Sequence, residues 1–443
     1  MCYHRDVRLP LRIVLPIVLA IVLAGGIASF FLWNIKRSVE TIDSIGRTET
    51  PVSVGTMQTR IFGTTPADQS LALAALRQGE ILEMRGQLGK AEERYRASVD
   101  AGGGVMALRR LMHLELQREN FDGAAETIRT LRRTDPDSPD ALFAEAMLAL
   151  ARGLPEEATR VIQRGNDLPI AALAQVLIAI DRGDHDAARA ALARAVGSDN
   201  PDVRAEAQVI EKAYREFDLF PGGQSIHRQT LLARALAEIG QCSIAQRLLE
   251  PVLQEQNSYR DAWIVRGFCA LASDKPAQAL TALEQAYSLD PSKPETQYFL
   301  ARTHAALGDP QNAVTFLQYA IINGFEPLRD ARTLLAEYAQ ELGNIDLALE
   351  QRRLLIEGGS LADLRSYVEL AISVPAHTAE GYKAAEEGTH RWPDDASAFA
   401  LTAKAALAAG MMTEAKNAAA AALALDAHNA DALALQEKMA KSQ

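Results

Sequence analysis

Chemistry in a protein needs nucleophiles, proton carriers or metal ligands at workable spacings, and this sequence offers few such sets. Its eight histidines are scattered. No HExxH or HxxxH run places two imidazoles on one helical face for a metal. There is no GxxxxGK[ST] phosphate loop and no GxSxG nucleophile elbow. The paired acids Glu92-Glu93 and Glu156-Glu157 stand beside basic residues and read as solvated helix faces. AGGG at Ala101–Gly104 follows a helical pattern and reads as its stop, because glycine takes positive φ without steric cost. PGGQ from Pro221 reads as a loop. Three cysteines, Cys2, Cys242 and Cys269, are too few for a disulfide framework or a four-cysteine zinc site. Cys242 and Cys269 are read as buried free thiols, with a bond between them as the alternative. Cysteine usage therefore leaves the redox compartment open. No cofactor, no metal site and no catalytic set are expected.

Of the 443 residues, 48% are hydrophobic, 23% are charged and 6% are aromatic. That is the composition of a folded chain. Alanine and leucine dominate, which favours helices whose backbones approach closely. The net charge is −11, with no basic stripe to follow a phosphate backbone, so nucleic-acid binding is disfavoured.

Residues 13–33, IVLPIVLAIVLAGGIASFFLW, carry no charge. At 1.5 Å per residue such a helix covers about 30 Å, the hydrocarbon thickness of a bilayer. Arg5, Arg8 and Arg12 precede the run, and Trp33, Lys36 and Arg37 close it, as expected at a membrane interface. The reading is an uncleaved transmembrane helix after a short tail (1–12). A cleaved signal peptide is the rival, since Gly26 and Ala28 are small residues at a usable spacing. The free amino terminus and the tighter basic cluster place the tail inside and the rest of the chain outside the cytoplasm. The first 37 residues carry five basic side chains and one acid, which leaves the body strongly acidic and repelled by anionic lipid. Residues 34–70, rich in Thr, Ser and Gly, read as a linker.

From Leu71 one pattern keeps returning with a period near 34. A small residue recurs at Ala91, Ala124, Ala158, Ala188, Ala245, Ala279, Ala313, Gly381 and Ala415, with Ala348 one residue out of register. Four residues further on stand Ile162, Leu249, Leu283 and Leu317, and seven on stand Val252, Ala286 and Ala320. Offsets of 0, 4 and 7 put these side chains on one helical face. Pro155, Pro276 and Pro310 precede the small residue by three and mark helix starts, with Asp309 as an N-cap. Pro136 and Pro291 mark stops. A second helix is expected about nineteen residues ahead of the small slot. Each unit is then two antiparallel helices that bury their apolar faces only by stacking on neighbours.

At this point the sequence resembles the tetratricopeptide repeat family. Trp263, Gly267, Ala279, Leu283, Ala286 and Pro291 fill its columns in one unit, and Leu300, Ala301, Ala313, Leu317 and Ala320 in the next. The resemblance covers residues 71–438 in about ten units, strongest near 245–325. It implies an all-α, right-handed α-solenoid of helix-turn-helix repeats behind one N-terminal transmembrane helix, a membrane-anchored bacterial type. Repeats are expected over 71–200 and 231–438. Between them, at 201–230, the step of 57 residues from Ala188 to Ala245 suggests an irregular helical or hinge region.

The resemblance also implies that partners bind in the groove lined by first helices. The positions carried over are Arg109 and His113, Phe143 and Met147, Ile264 and Phe268, and Tyr298 and Arg302. An apolar centre flanked by Arg suits a peptide or partner helix. Packing against neighbouring repeats is the other reading of the same residues. The function expected is a protein-binding scaffold in the inner membrane with a periplasmic array, serving assembly of envelope complexes. A cytoplasm-facing adaptor and an enzyme with a site at 196–230 are the alternatives.

Overall fold

The computed structural model describes residues 66–84, 86–219 and 224–441. The tail at 1–12, the apolar run at 13–33 and residues 34–65 lie outside the described residues. Among the described residues no helix is long and apolar enough to cross a membrane. They form helices joined by short turns, with no strand among them. The first helix, α1, begins at Pro66, inside the segment expected as linker.

The helices run in pairs. The first four pairs are α1 (Pro66–Met84) with α2 (Leu88–Asp100), α3 (Gly104–Gln117) with α4 (Phe121–Thr134), α5 (Pro139–Ala151) with α6 (Pro155–Gln163), and α7 (Pro169–Asp181) with α8 (His185–Val196). A single helix follows, α9 (Pro201–Asp218). Next come α10 (Ser225–Glu238) with α11 (Cys242–Glu255) and α12 (Arg260–Ala272) with α13 (Pro276–Leu289). Then follow α14 (Pro294–Ala306), α15 (Pro310–Ile322), α16 (Leu328–Glu341) with α17 (Ile345–Ile356), and α18 (Leu361–Ser373) with α19 (Thr378–Arg391). The array closes with α20 (Ala396–Ala408), α21 (Met412–Leu425) and α22 (Ala430–Lys441). The described chain divides into two compact units, one ending at Thr303 and the other beginning at His304.

The local reasons match the sequence pattern. Proline occupies the first turn of α6, α13 and α15, where its missing N–H removes no helical bond. Asp309 caps α15 by accepting from Asn312 N at 3.1 Å. The small column is buried throughout: Ala91, Ala124, Ala158, Ala188, Ala245, Ala279, Ala313 and Ala415 are 0% exposed. Ala348, out of register in sequence, is 0% exposed as well; α16 has 14 residues against 13 in α14 and takes up the extra residue. Leu249, Leu283 and Leu317 on the same face are also fully buried. Each such leucine contributes about 1.5–3 kcal/mol of burial, so stacking supplies most of the stability.

The long step between Ala188 and Ala245 has a simple content. It is one ordinary unit plus one helix: α9 is unbroken over 18 residues and packs between α8 and α10 while touching α7. Further along, α11, second of its pair, lies against α5 and α7, the first helices of two earlier pairs. Cys242 opens α11 and Cys269 lies in the last turn of α12, and the structure joins them in a buried disulfide with Cα atoms 5.2 Å apart. The reading as free thiols is thereby corrected. Antiparallel packing brings the start of one helix beside the end of the next, and that meeting places the two sulfurs together.

Candidate functional site

The residues carried over as a groove fall in the unit that ends at Thr303, and that unit covers much of them itself. Met147 is 5% exposed and Tyr298 is 3% exposed. Phe143 and Phe268 are half-buried and pack on one continuous core that runs from α5 to α12. The Phe268 ring meets Phe299 edge-on at 5.3 Å, and Arg302 lies over the Tyr298 ring at 5.9 Å. Arg109 is half-exposed and ion-paired to Asp140 at 2.7 Å. His113 faces the α10–α11 turn, where a Cβ at Gly240 would lie 3.9 Å from its ring. Ile264 is half-buried on α12. The structure thus draws Phe268, Tyr298 and Arg302 together through Phe299 and spends Arg109 on a neighbouring helix.

The later part of the same unit reaches back to its earlier helices. Arg247 on α11 reaches Asp181 at the end of α7 at 2.7 Å and Ala151 O at the end of α5 at 3.4 Å. The α3–α4 turn meets the α12–α13 turn through three contacts. Gln117 donates to Ala272 O at 3.1 Å, Arg118 binds Asp274 at 2.9 Å, and Lys275 binds Glu119. Glu92 anchors Arg118 from α2 and also accepts from Arg96 at 2.7 Å and Asn120 at 3.1 Å. Behind them lies Glu115, fully buried, held by Arg96 at 2.8 Å and Thr127 at 2.7 Å. Burial lifts its carboxyl above the usual carboxylate range, opposed by the Thr127 hydroxyl and Arg96.

The 196–230 region, weighed in sequence as a possible catalytic site, holds α9 stacked in the array. His185 Nδ1 lies 3.0 Å from the Tyr214 hydroxyl, and Arg189 stacks on the Tyr214 ring at 4.4 Å while gripping Asp218 at 2.7 Å. Burial lowers the His185 pKa and raises that of Tyr214 to about 12. Tyr214 is 1% exposed, and these groups staple α8 to α9. Among the described residues no group of three or more side chains could hold a metal.

The unit beginning at His304 keeps an open polar face that sequence reasoning missed. A pocket of about 430 Å³ is lined by Gln340, Arg352, Arg365, Ser366, Glu369 and Ser373 together with Ala362 and Leu370. Arg352 donates to Gln340 Oε1 at 2.6 Å and to Ser366 O at 2.8 Å, so its cation is met there by neutral acceptors. Arg365 reaches Asp431 on α22 at 3.1 Å, and Lys404 reaches Glu369 at 2.7 Å. No single motif flags this set, because it is assembled from three helices.

Models of the tetratricopeptide repeat match residues 110–166, 230–294 and 270–337. At those residues the chain carries tetratricopeptide repeats, and repeat proteins of this kind act as protein-interaction scaffolds. No curated protein matches the chain. Solved structures similar to it include YrrB, a repeat protein with an unusual peptide-binding site, at 16% identity over 43% of this chain and 97% of that one, TM-score 0.35. PilW, a type IV pilus biogenesis factor, aligns at 17% identity over 48% of this chain and 99% of its own, TM-score 0.34. Yeast Tom70 aligns at 13% over 85% and 97%, TM-score 0.29. The repeat assignment stands on the family models and on the helix pairing described above.

Proposed function

We propose that the chain is a membrane-anchored scaffold of bacterial type that binds partner proteins or peptides, with its repeat array outside the cytoplasm. The observation that carries this placement is the buried Cys242–Cys269 disulfide. Structural disulfides persist in oxidising compartments and are rare in the cytosol. The uncharged run at 13–33 supplies the anchor, and the acidic body stands off anionic lipid. The polar pocket on α16–α18 is the surface offered to a partner segment, since its arginines and hydroxyls can hydrogen-bond an extended peptide. Assembly of an envelope complex is the role that suits such a tethered array.

Two reporters fused after Gln443 test the placement. One that is active only outside the cytoplasm is expected to work, and one that is active only inside is expected to stay silent. The opposite pattern would support a cytoplasm-facing adaptor and overturn the reading.

A further inference from the structure

One backbone column in the array behaves differently at two places. Seven first helices end in a left-handed glycine that closes the turn, at Gly86, Gly153, Gly183, Gly240, Gly308, Gly343 and Gly410, with φ between 71° and 79°. Glycine suits the position because a Cβ disfavours positive φ. After α18 the chain passes into extended backbone at Val374 (φ −119°), and after α3 and α12 the left-handed residue is not glycine. Glu119 (φ 58°) and Asp274 (φ 59°) are the non-glycine residues with positive φ among those described. Their turns keep the same hydrogen bonds: Asn120 N to Glu115 O at 2.8 Å, and Lys275 N to Ala270 O at 2.9 Å. The acids are not needed to make the turn.

These two residues, about 155 apart in sequence, belong to one contact. Arg118-Glu119 faces Asp274-Lys275, and the charges cross: Arg118 to Asp274 and Lys275 to Glu119. Gln117 adds its bond to Ala272 O. The Asp274 carboxylate also borders the first turn of α2, where a Cβ at Gly89 would lie 3.7 Å from it. A helix start favours a negative charge. All four charged side chains are between 21% and 39% exposed, so water and salt reach them.

We propose that these two turns form an electrostatic latch, which holds the unit ending at Thr303 closed so that α11 stays over the inner faces of α5 and α7. The backbone strain at Glu119 and Asp274 is retained for the ion pairs and not for the turns. Added salt or a competing charged partner opens the latch and uncovers the faces that carry Phe143 and Met147. The function of the opened surface rests on reading the array as a protein-binding scaffold; the latch itself does not.

The test uses the full chain and needs no partner. Amide exchange is followed in α5, α7 and α11 as NaCl rises from about 0.05 to 0.5 M, which shortens the screening length about threefold. Exchange of these helices in the parent protein should quicken with salt. Glu119→Gly with Asp274→Gly restores the glycine column and removes both acids. Exchange should then be faster at low salt, on the order of tenfold, and no longer respond to salt. Slower or unchanged exchange in that variant would mean that the acids are only turn residues, and the proposal would fall. Glu119→Lys alone should open the latch, and adding Lys275→Glu should close it again. Loss without recovery in the pair would also overturn the proposal. The glycine variant keeps the test decisive if either charge change prevents folding.

Discussion

Gly267 lies in the interior of α12, where glycine costs about 1 kcal/mol relative to alanine. A Cβ at this position would lie 2.5 Å from Leu283 Cγ and 2.8 Å from Leu283 Cδ2. Ordinary carbon–carbon contacts lie near 3.5–4.0 Å, so the overlap is about 1 Å. Leu283 is fully buried on α13 and is touched at its branch point, so rotating a terminal methyl does not relieve the clash. Overpacking of this kind costs about 1–3 kcal/mol. Against the propensity gain of about 1 kcal/mol, Gly267→Ala should destabilise by about 1 kcal/mol. Leu283→Ala alone should cost about 2–5 kcal/mol, through lost burial and a cavity. In that background the clash is gone, and Gly267→Ala should stabilise by about 1 kcal/mol. The same substitution therefore changes sign, with a coupling of about 2 kcal/mol. Urea unfolding of the four proteins, followed by far-ultraviolet circular dichroism, measures the cycle. If Gly267→Ala stabilises equally in both backgrounds, the close approach of α12 to α13 is wrong.

Reduction of the Cys242–Cys269 bond, whose partners are 27 residues apart, should lower unfolding stability by about 3.5 kcal/mol on the chain-entropy account. Urea midpoints with and without reductant report it, and an unchanged midpoint would refute the cross-link. Glu115 should give a pH signature. Its folded pKa is raised above the ordinary 4.5, so the native state binds more protons than the unfolded one between that value and the raised one. Stability contributed by the protonated form is thus lost as pH rises through that window. Glu115→Gln should flatten this slope, and a slope identical to that of the parent chain would count against burial as the cause.

Much of the architecture was readable residue by residue. Ala279, Leu283 and Ala286 recur at offsets that only a helix places on one face, and Pro276 starts that helix because its ring suits a first turn. Those are local constraints, and they hold wherever the helix goes. The groove residues were legible as positions but not as surfaces. Arg109 and Met147 stand on the expected helices, yet one is spent on Asp140 and the other is sealed by the core. Exposure depends on what else the chain brings there.

By itself, then, the sequence determined the helices, their pairing, their period and the small column that lets backbones meet, because each follows from neighbours within about 34 positions. Only the tertiary structure decided that α11 reaches α5 and α7, that Cys242 meets Cys269, and that Arg118 and Glu119 meet Asp274 and Lys275. The physical reason is separation. Small rotations between successive pairs add up over five or more repeats, and their sum decides which distant turns come within reach of an ion pair.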